Sequence, residues 1–495
     1  MTGAPMQVAP GWQFLREKKW IILVLSIAII VPCLWHRHIE AGDLASHVYN
    51  AWLAQLIEKG QAPGLYFVRQ WDNVLVDWML LHAANLFGFA AAGKIVASLC
   101  VLIFFWGTFA FIAAVSGQPP WFFAPCLAML AYGYSFNMGF LNYYLSLGLA
   151  AFSLVLLWRG RAGERIFGLL LAPAVFLAHP IGILWLLGTG VYLILWTKLP
   201  RWWKVAVPVA ALTVFFAIRW YLAHQTRFPV DWVHDPFYLM NGADQLTLYG
   251  RRYATLGWAA LCFGTLCVAI DAFSRRRDTS FWQVLRLPLG LYFVSIVGVA
   301  LLPENLRPSA SGGWIGLLAS RLTLVTAMFG LCVVGCLKPR KWHLAGLAAF
   351  AAIFFVFLYQ DTSTLNRMED RVEQLVRPLP FGTKVLSTIW APLDSRIAFI
   401  GHFVDRACIG HCFSYANYEP SSGQFRIRVR PGSPVAVASD DDSEDMQAGE
   451  YEVQEEDLPI MEIYQCDEKD LTKLCIRSLA AGEKNGRLGY EPNPN

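Results

Sequence analysis

The sequence predicts an all-α polytopic transmembrane bundle of about 11 spans, followed by a C-terminal extracytoplasmic domain of mixed α/β character. Three observations carry this. Of the 495 residues, 56% are hydrophobic and only 15% charged, against roughly 25% charged in an ordinary soluble domain. The mean hydropathy is +0.43. Apolar stretches close to the roughly 20 residues needed to cross a bilayer recur along the chain, with basic clusters between them.

The stretches are 20–35, 74–90, 95–115, 121–136, 142–158, 166–180, 181–197, 205–222, 253–273, 281–302, 313–337 and 343–359. Clusters at Arg16/Lys18/Lys19, Arg159/Arg161/Arg165, Lys198/Arg201/Lys204, Arg275/Arg276/Arg277 and Lys338/Arg340/Lys341 belong in the cytoplasm by the positive-inside rule. From Tyr143 onward the stretches then alternate in direction, which puts the N-terminus inside and the tail outside. In a bacterium this means the inner membrane and the periplasm. Such a topology needs an odd number of crossings, so one of 74–90, 95–115 and 121–136 does not cross. The stretch 74–90 carries Asp77, His82 and Asn85 and is expected to lie along the outer interface. A basic flank precedes 20–35, but no small-residue cleavage site follows it, so it reads as a retained anchor.

Residues 1–359 thus form the membrane domain and 360–495 the soluble one. Outer segments long enough to hold a site are 36–73, 223–252 and 303–313. In the tail, 370–379 reads as a short helix and 383–389 and 424–430 alternate like strands. The acidic run 440–445 reads as a solvated loop. Seven of the 11 cysteines lie in apolar stretches, where Cys acts as a small hydrophobe. Cys408, Cys412, Cys466 and Cys475 lie in the polar tail and suggest disulfides in an oxidising compartment. Zinc is disfavoured, because no His has finger-like spacing to the Cys-x-x-x-Cys pair.

The first outer segment is the richest in chemistry. In 40–52, Asp43, His47 and Asn50 recur at i, i+4 and i+7, and share one helical face opposite Leu44, Val48, Ala51 and Leu53. By itself this is an amphipathic interface helix. A Gly60-Gln61-Ala62-Pro63 turn follows, then Trp71-Asp72-Asn73 and the ending Leu86-Phe87-Gly88.

An acidic residue just after the first span, a helix, a Gly-x-x-Pro turn, an aromatic stretch and a Leu-Phe-Gly ending resemble the first outer loop of the GT-C superfamily. These multi-span glycosyltransferases include protein O-mannosyltransferases and lipid A aminoarabinose transferases. The likeness covers the first hundred or so residues; the rest is similar in architecture only. It implies transfer of a sugar from a polyprenyl-phosphate carrier to a glycan, lipid or protein acceptor at the outer membrane face. Many members use a divalent metal, Mg or Mn, and others do not. The family's acidic pair is separated by one residue; here Glu40 and Asp43 are separated by two. Only Asp43 is therefore carried over as the catalytic carboxylate.

The residue types suit that chemistry. Glycosyl transfer passes through an oxocarbenium-like transition state. A carboxylate can take the acceptor's proton, and cations can stabilise the departing lipid phosphate. Arg321, inside an apolar stretch, is the first candidate for the phosphate, since guanidinium forks match it; its alternatives are a structural ion pair or snorkelling. Arg307 is a second candidate, whereas Arg219 reads as snorkelling. His47 joins Asp43 on its face. His179, before Pro180, is a substrate-binding candidate or marks a helix break. Asn137 and Asn142 could bind sugar hydroxyls or a metal, or cap helices. Asp231, His234, Asp235 and Asp244 are interleaved with Trp232, Phe237 and Tyr238, a composition common to sugar sites and to membrane interfaces. The segment 405–422 is dense in polar and aromatic residues and reads as an acceptor site or as a compact turn held by Cys408 and Cys412.

No catalytic triad, phosphate-binding loop or dinucleotide fingerprint is present, which disfavours ATP-driven transport and nucleotide-sugar chemistry. Nothing points to nucleic acid. The competing class is a lipid or solute transporter or flippase, which calls for internal repeats and ionisable residues at mid-bilayer. No repeat is evident, and the charges concentrate at span ends.

Overall fold

The computed structural model describes residues 18–486 apart from 201, 234–235, 308–314, 391–394, 398 and 468. Arg16, Arg201, His234 and Asp235 lie outside the described residues. The main helices are α1 (Lys19–Ile30), α2 (Leu44–Glu58), α3 (Leu75–Phe87), α4 (Phe89–Ser116), α5 (Ala124–Ala131), α6 (Leu141–Arg159), α7 (Ala162–Ala178), α8 (Pro180–Lys198), α9 (Ala206–His224), α10 (Arg251–Ser274), α11 (Thr279–Leu301), α12 (Leu318–Val334) and α13 (Lys341–Val376). Three shorter ones follow in the tail: α14 (Phe403–Ala407), α15 (Tyr418–Ser421) and α16 (Asp440–Ala448).

Among the described residues, 7 helices are long and apolar enough to cross a membrane: α4, α6, α8, α9 with its preceding turn, α10, α11 and α13. Burial sorts them. In α6, 67% of the apolar window is buried, against 6% in α9. The first is therefore central, and the second presents its apolar surface outward, as a lipid-facing helix does.

Several stretches depart from the expected spans, each for a local reason. The 121–136 stretch is not one helix: α5 ends at Ala131 and a separate turn spans Tyr134–Asn137. A Cβ on Gly133 would lie 2.6 Å from the Gln245 carbonyl oxygen, so the chain breaks where loop 242–246 packs against it. The 313–337 stretch becomes helical only at Leu318, after Leu317 in the left-handed region at φ 55°. The 74–90 stretch forms α3, whose 13 residues reach only about 20 Å, short of a bilayer core. The expected boundary at 359/360 falls inside α13, which runs unbroken for 36 residues. Beyond Leu358 this helix is polar, yet Leu358, Asp361, Thr362, Leu365, Asn366, Met368, Glu369, Val372 and Val376 keep one buried stripe. The expected short helix at 370–379 is the end of α13. The acidic run 440–445 is not a loop but opens α16. Ser439 caps it by accepting the Asp442 N–H at 3.1 Å, and three aspartates favour the positive helix start.

The tail holds a small sheet of β4 (Thr383–Thr388), β5 (Cys412–Ser414), β7 (Ile460–Gln465) and β8 (Leu474–Leu479) in the order β5-β4-β7-β8. The pairs β4–β5 and β4–β7 are parallel and β7–β8 is antiparallel. Disulfides join Cys408 to Cys412 and Cys466 to Cys475.

The tail and loop 36–73 are one layer. Strand β1 (Leu65–Phe67) pairs antiparallel with β6 (Ile427–Val429), and β2 (Val230–Trp232) pairs antiparallel with β3 (Pro303–Leu306). Twelve residues of α2 are buried, on both the Asp43 face and the Leu44 face. The helix is therefore enclosed between bundle and tail and is not an interface helix.

One backbone contact sets where α2 begins. Gly42 and Gly139 both have positive φ, 35° and 82°. The Asp43 N–H donates to the Met138 carbonyl at 3.2 Å. A Cβ on Gly139 would stand 2.4 Å from the Asp43 nitrogen and 2.5 Å from the Ala41 oxygen, closer than any side chain permits. Gly139→Ala is therefore expected to force the two segments apart and destabilise the fold by about 1–3 kcal/mol. A thermal-unfolding midpoint in detergent equal to that of the unaltered protein would refute this.

Candidate functional site

A cavity of about 280 Å³ lies where α2, the 139–143 turn, the α7–α8 junction, the start of α12 and the tail meet. Asp43, His47, Asn142, His179 and Arg321 all line it. The tail adds Tyr418, Gln424, Asp440 and Glu444. These five residues converge although 278 positions separate Asp43 from Arg321. Arg307 does not join them. Its guanidinium lies 3.7 Å from Asp441, on the outer side of α16.

Asp43 precedes the first turn of α2, and its Oδ1 has no hydrogen-bond partner among the described residues. Burial raises its pKa, and His402, His47 and Arg321 draw it part of the way back. The result is a carboxylate more basic than usual, facing a cavity.

His47 lies one turn further on. Its Nδ1 is 3.0 Å from Glu419 Oε1 and 3.3 Å from Asp77 Oδ1. Burial opposes the charged imidazole, but the two carboxylates prevail and hold its pKa well above the usual histidine value. Burial raises the Glu419 carboxyl, with His47 acting against that rise.

Arg321 lies in the first turn of α12. Its guanidinium stacks 4.2 Å from the Phe140 ring centre. Its Nε is buried without a hydrogen-bond partner, and no carboxylate lies within ion-pair distance of it among the described residues. The structural-pair alternative therefore lacks a partner among the described residues.

Two of the expected ligands are committed to the backbone. Asn142 Oδ1 accepts the Val76 N–H at 2.9 Å and its Nδ2 donates to the Asn73 carbonyl at 3.3 Å, holding the start of α3. His179 Nδ1 accepts the Ile181 N–H at 3.1 Å and caps α8. Both line the cavity, but the atoms named here act as caps. Asn50 turns to the tail and donates to Asn417 at 3.2 Å. Asn137 donates to the Tyr132 and Gly133 carbonyls. Glu40 accepts from Asn366 at 2.6 Å, away from the cavity. Asp244 is ion-paired to Arg396 at 3.1 Å, and Asp231 is exposed in the short strand Val230–Trp232.

The sequence reading missed His402 and did not foresee the roles of Asp77 and Glu419. Segment 405–422 had been marked as polar and aromatic, but only the fold brings it against α2. His402 stands alone in the sequence and carries no motif.

Among the described residues, no three His, Cys, Asp or Glu ligand atoms gather within 4.8 Å at this cavity; the group that does is His38, Asp370 and Glu373, elsewhere. There Arg37 already pairs with Asp370 at 2.9 Å and with Glu373 at 2.7 Å.

The fold is that of a mostly helical protein with 7 helices long and apolar enough to cross a membrane among the described residues, whose strand-containing tail contributes to the wall of a polar cavity. No protein-family model matches the chain, and no curated protein or solved structure shows significant similarity to it.

The His47–Glu419 pair yields a check on this geometry. Glu419→Gln leaves a buried imidazolium short of one partner and is expected to cost about 3–5 kcal/mol. Adding His47→Gln should recover part of that loss, which a double-mutant cycle in unfolding midpoints measures. Strictly additive losses would mean the pair does not exist.

Proposed function

We propose that the chain is a membrane glycosyltransferase of the GT-C kind, moving a sugar from a polyprenyl-phosphate donor to an acceptor hydroxyl at the outer membrane face. One observation carries the reading: the Asp43 carboxylate, more basic than usual and accepting no hydrogen bond at Oδ1, and the Arg321 guanidinium, with no carboxylate within ion-pair distance among the described residues, line a single cavity beside membrane-length helices. Lipid-borne phosphate and hydroxyl nucleophile are the complements of those two groups.

In this reading the acceptor oxygen bonds to the anomeric carbon while the bond from that carbon to the phosphate oxygen breaks. The electron pair leaves with the lipid phosphate, whose charge Arg321 meets with its forked donors. The acceptor's proton passes to Asp43. Attack opposite the leaving group inverts the anomeric centre. Tyr418 and Gln424 of the tail offer hydrogen bonds to sugar or acceptor. No step runs through a metal. The orientation that fits is an inner bacterial membrane, with the N-terminus cytoplasmic and the tail periplasmic, where the Cys408–Cys412 and Cys466–Cys475 bonds persist.

Sugar transfer by the purified protein, from a panel of polyprenyl-phosphate donors, tests this. Asp43→Asn should lower the transfer rate by about 10²–10⁴-fold while leaving donor binding intact. Arg321→Met should weaken donor binding. Equal activity of Asp43→Asn and the unaltered protein would remove Asp43 as the base. Inactivity of the unaltered protein across the panel would favour the transporter or flippase reading.

A further inference from the structure

The group nearest to the free face of Asp43 comes from the tail. His402 precedes α14 and is buried, with 4% of its surface exposed. Its Nε2 lies 3.7 Å from Asp43 Oδ1 and its Nδ1 lies 2.7 Å from Asp405 Oδ2. Asp405 is itself held fast. Its Oδ1 accepts the Ser414 hydroxyl and its Oδ2 accepts Asn417 Nδ2 at 3.2 Å.

The short helix that carries Asp405 is tied at its C-terminal end. Arg406 pairs with Glu369 of α13 at 3.2 Å and donates to the Ile39 carbonyl at 3.1 Å. The Cys408–Cys412 bond closes the turn that follows. A carboxylate, an imidazole and a second carboxylate therefore stand in line, on a support that reaches from the tail into the cavity wall.

Resting on the reading of Asp43 as the base, we propose that His402, clamped by Asp405, is a positioning residue that sets the protonation of Asp43 from behind the cavity. With Nδ1–H committed to Asp405, an imidazolium presents its Nε2–H side to Asp43. That positive charge favours the ionised carboxylate, the form able to accept a proton. The other charged groups facing the pair are Arg321 and His47, which act on Asp43 in the same direction, Asp405, whose own charge acts on Asp43 in the opposite direction, and Glu419, which favours the imidazolium. Tyr418 stacks against His402 with ring centres 5.4 Å apart. Burial opposes a charged imidazole here, but Asp405, Asp43 and Glu419 together raise its pKa above the usual value.

The sign follows. Removing the positive neighbour raises the pKa of Asp43, so the base becomes ionised only at higher pH. In His402→Gln the carboxyl stretch of Asp43, assigned by its loss in Asp43→Asn and followed by infrared difference spectroscopy, should titrate about 1–3 pH units higher. The rising limb of the transfer rate against pH should move up equally, with the rate recovering at alkaline pH. Asp405→Asn leaves the imidazole in place but neutral, and should shift both in the same direction by less, which also covers failure of His402→Gln to fold. A carboxyl titration unmoved in both variants, or a rate lowered equally at every pH, overturns the proposal. The two readouts separate its fate from that of the transferase reading. A shifted titration in a protein that transfers no sugar keeps the His402–Asp43 coupling and removes the transferase. An unshifted titration in an active transferase removes only the role of His402.

Discussion

The close backbone approach of Gly42 and Gly139 is the contact on which the site depends. Two positive-φ glycines let residues 41–43 and 138–139 approach within hydrogen-bond distance. This joins the start of α2 to the turn before α6, the most buried of the central helices. Asp43 thereby stands over the same turn that carries Phe140 and Asn142. Phe140 supports the Arg321 guanidinium, and Asn142 holds the start of α3, which carries Asp77. A Cβ at Gly139 would meet the Asp43 nitrogen at 2.4 Å, so one of the two segments would have to shift.

Around that junction the chain buries an unusual density of charge. Isolated buried charges are prohibitively costly, and they persist when paired. His47 is paired to Glu419 and Asp77, His402 to Asp405, and Arg406 to Glu369. His47–Glu419 joins loop 36–73 to the tail, His47–Asp77 joins it to α3, and the other two pairs brace the tail segment against itself and α13. The tail is thereby locked over the cavity by interactions that are strong only because water is excluded. Among the described residues, Asp43 Oδ1 accepts no hydrogen bond and has His402 only at 3.7 Å, and Arg321 has no carboxylate within ion-pair distance. Under the proposed function, substrate supplies what they lack: a hydroxyl proton for one and a phosphate for the other.

Much of the architecture was legible in the sequence because its causes are local. Apolar runs of bilayer length favour helices, and α4, α6, α8, α9, α10, α11 and α13 each overlap an expected stretch. The i, i+4 spacing put Asp43 and His47 on one face without any tertiary information. The paired cysteines of the tail announced disulfides, and 383–389 announced a strand. Local reasoning failed where a distant segment intervened. Loop 242–246 breaks 121–136 at Gly133. The tail gives α13 a buried polar stripe, which extends it past the apparent domain boundary. Asp440, Asp441 and Asp442 looked like a solvated loop because composition alone does not show that Ser439 caps a helix there.

The sequence by itself determined that this is a helical membrane protein with a structured tail, and it marked Asp43, His47 and Arg321 by placing charged groups among apolar ones. Hydropathy and side-chain period are properties of the chain over one or two turns, and they survive without the fold. Only the tertiary structure decided which of those charges meet, that Arg307 stays outside, that Asn142 and His179 serve as caps, and that His402 and Glu419 complete the surroundings of Asp43. Those pairings span more than 350 positions. Their energy comes from excluding water between segments that only the folded chain brings together.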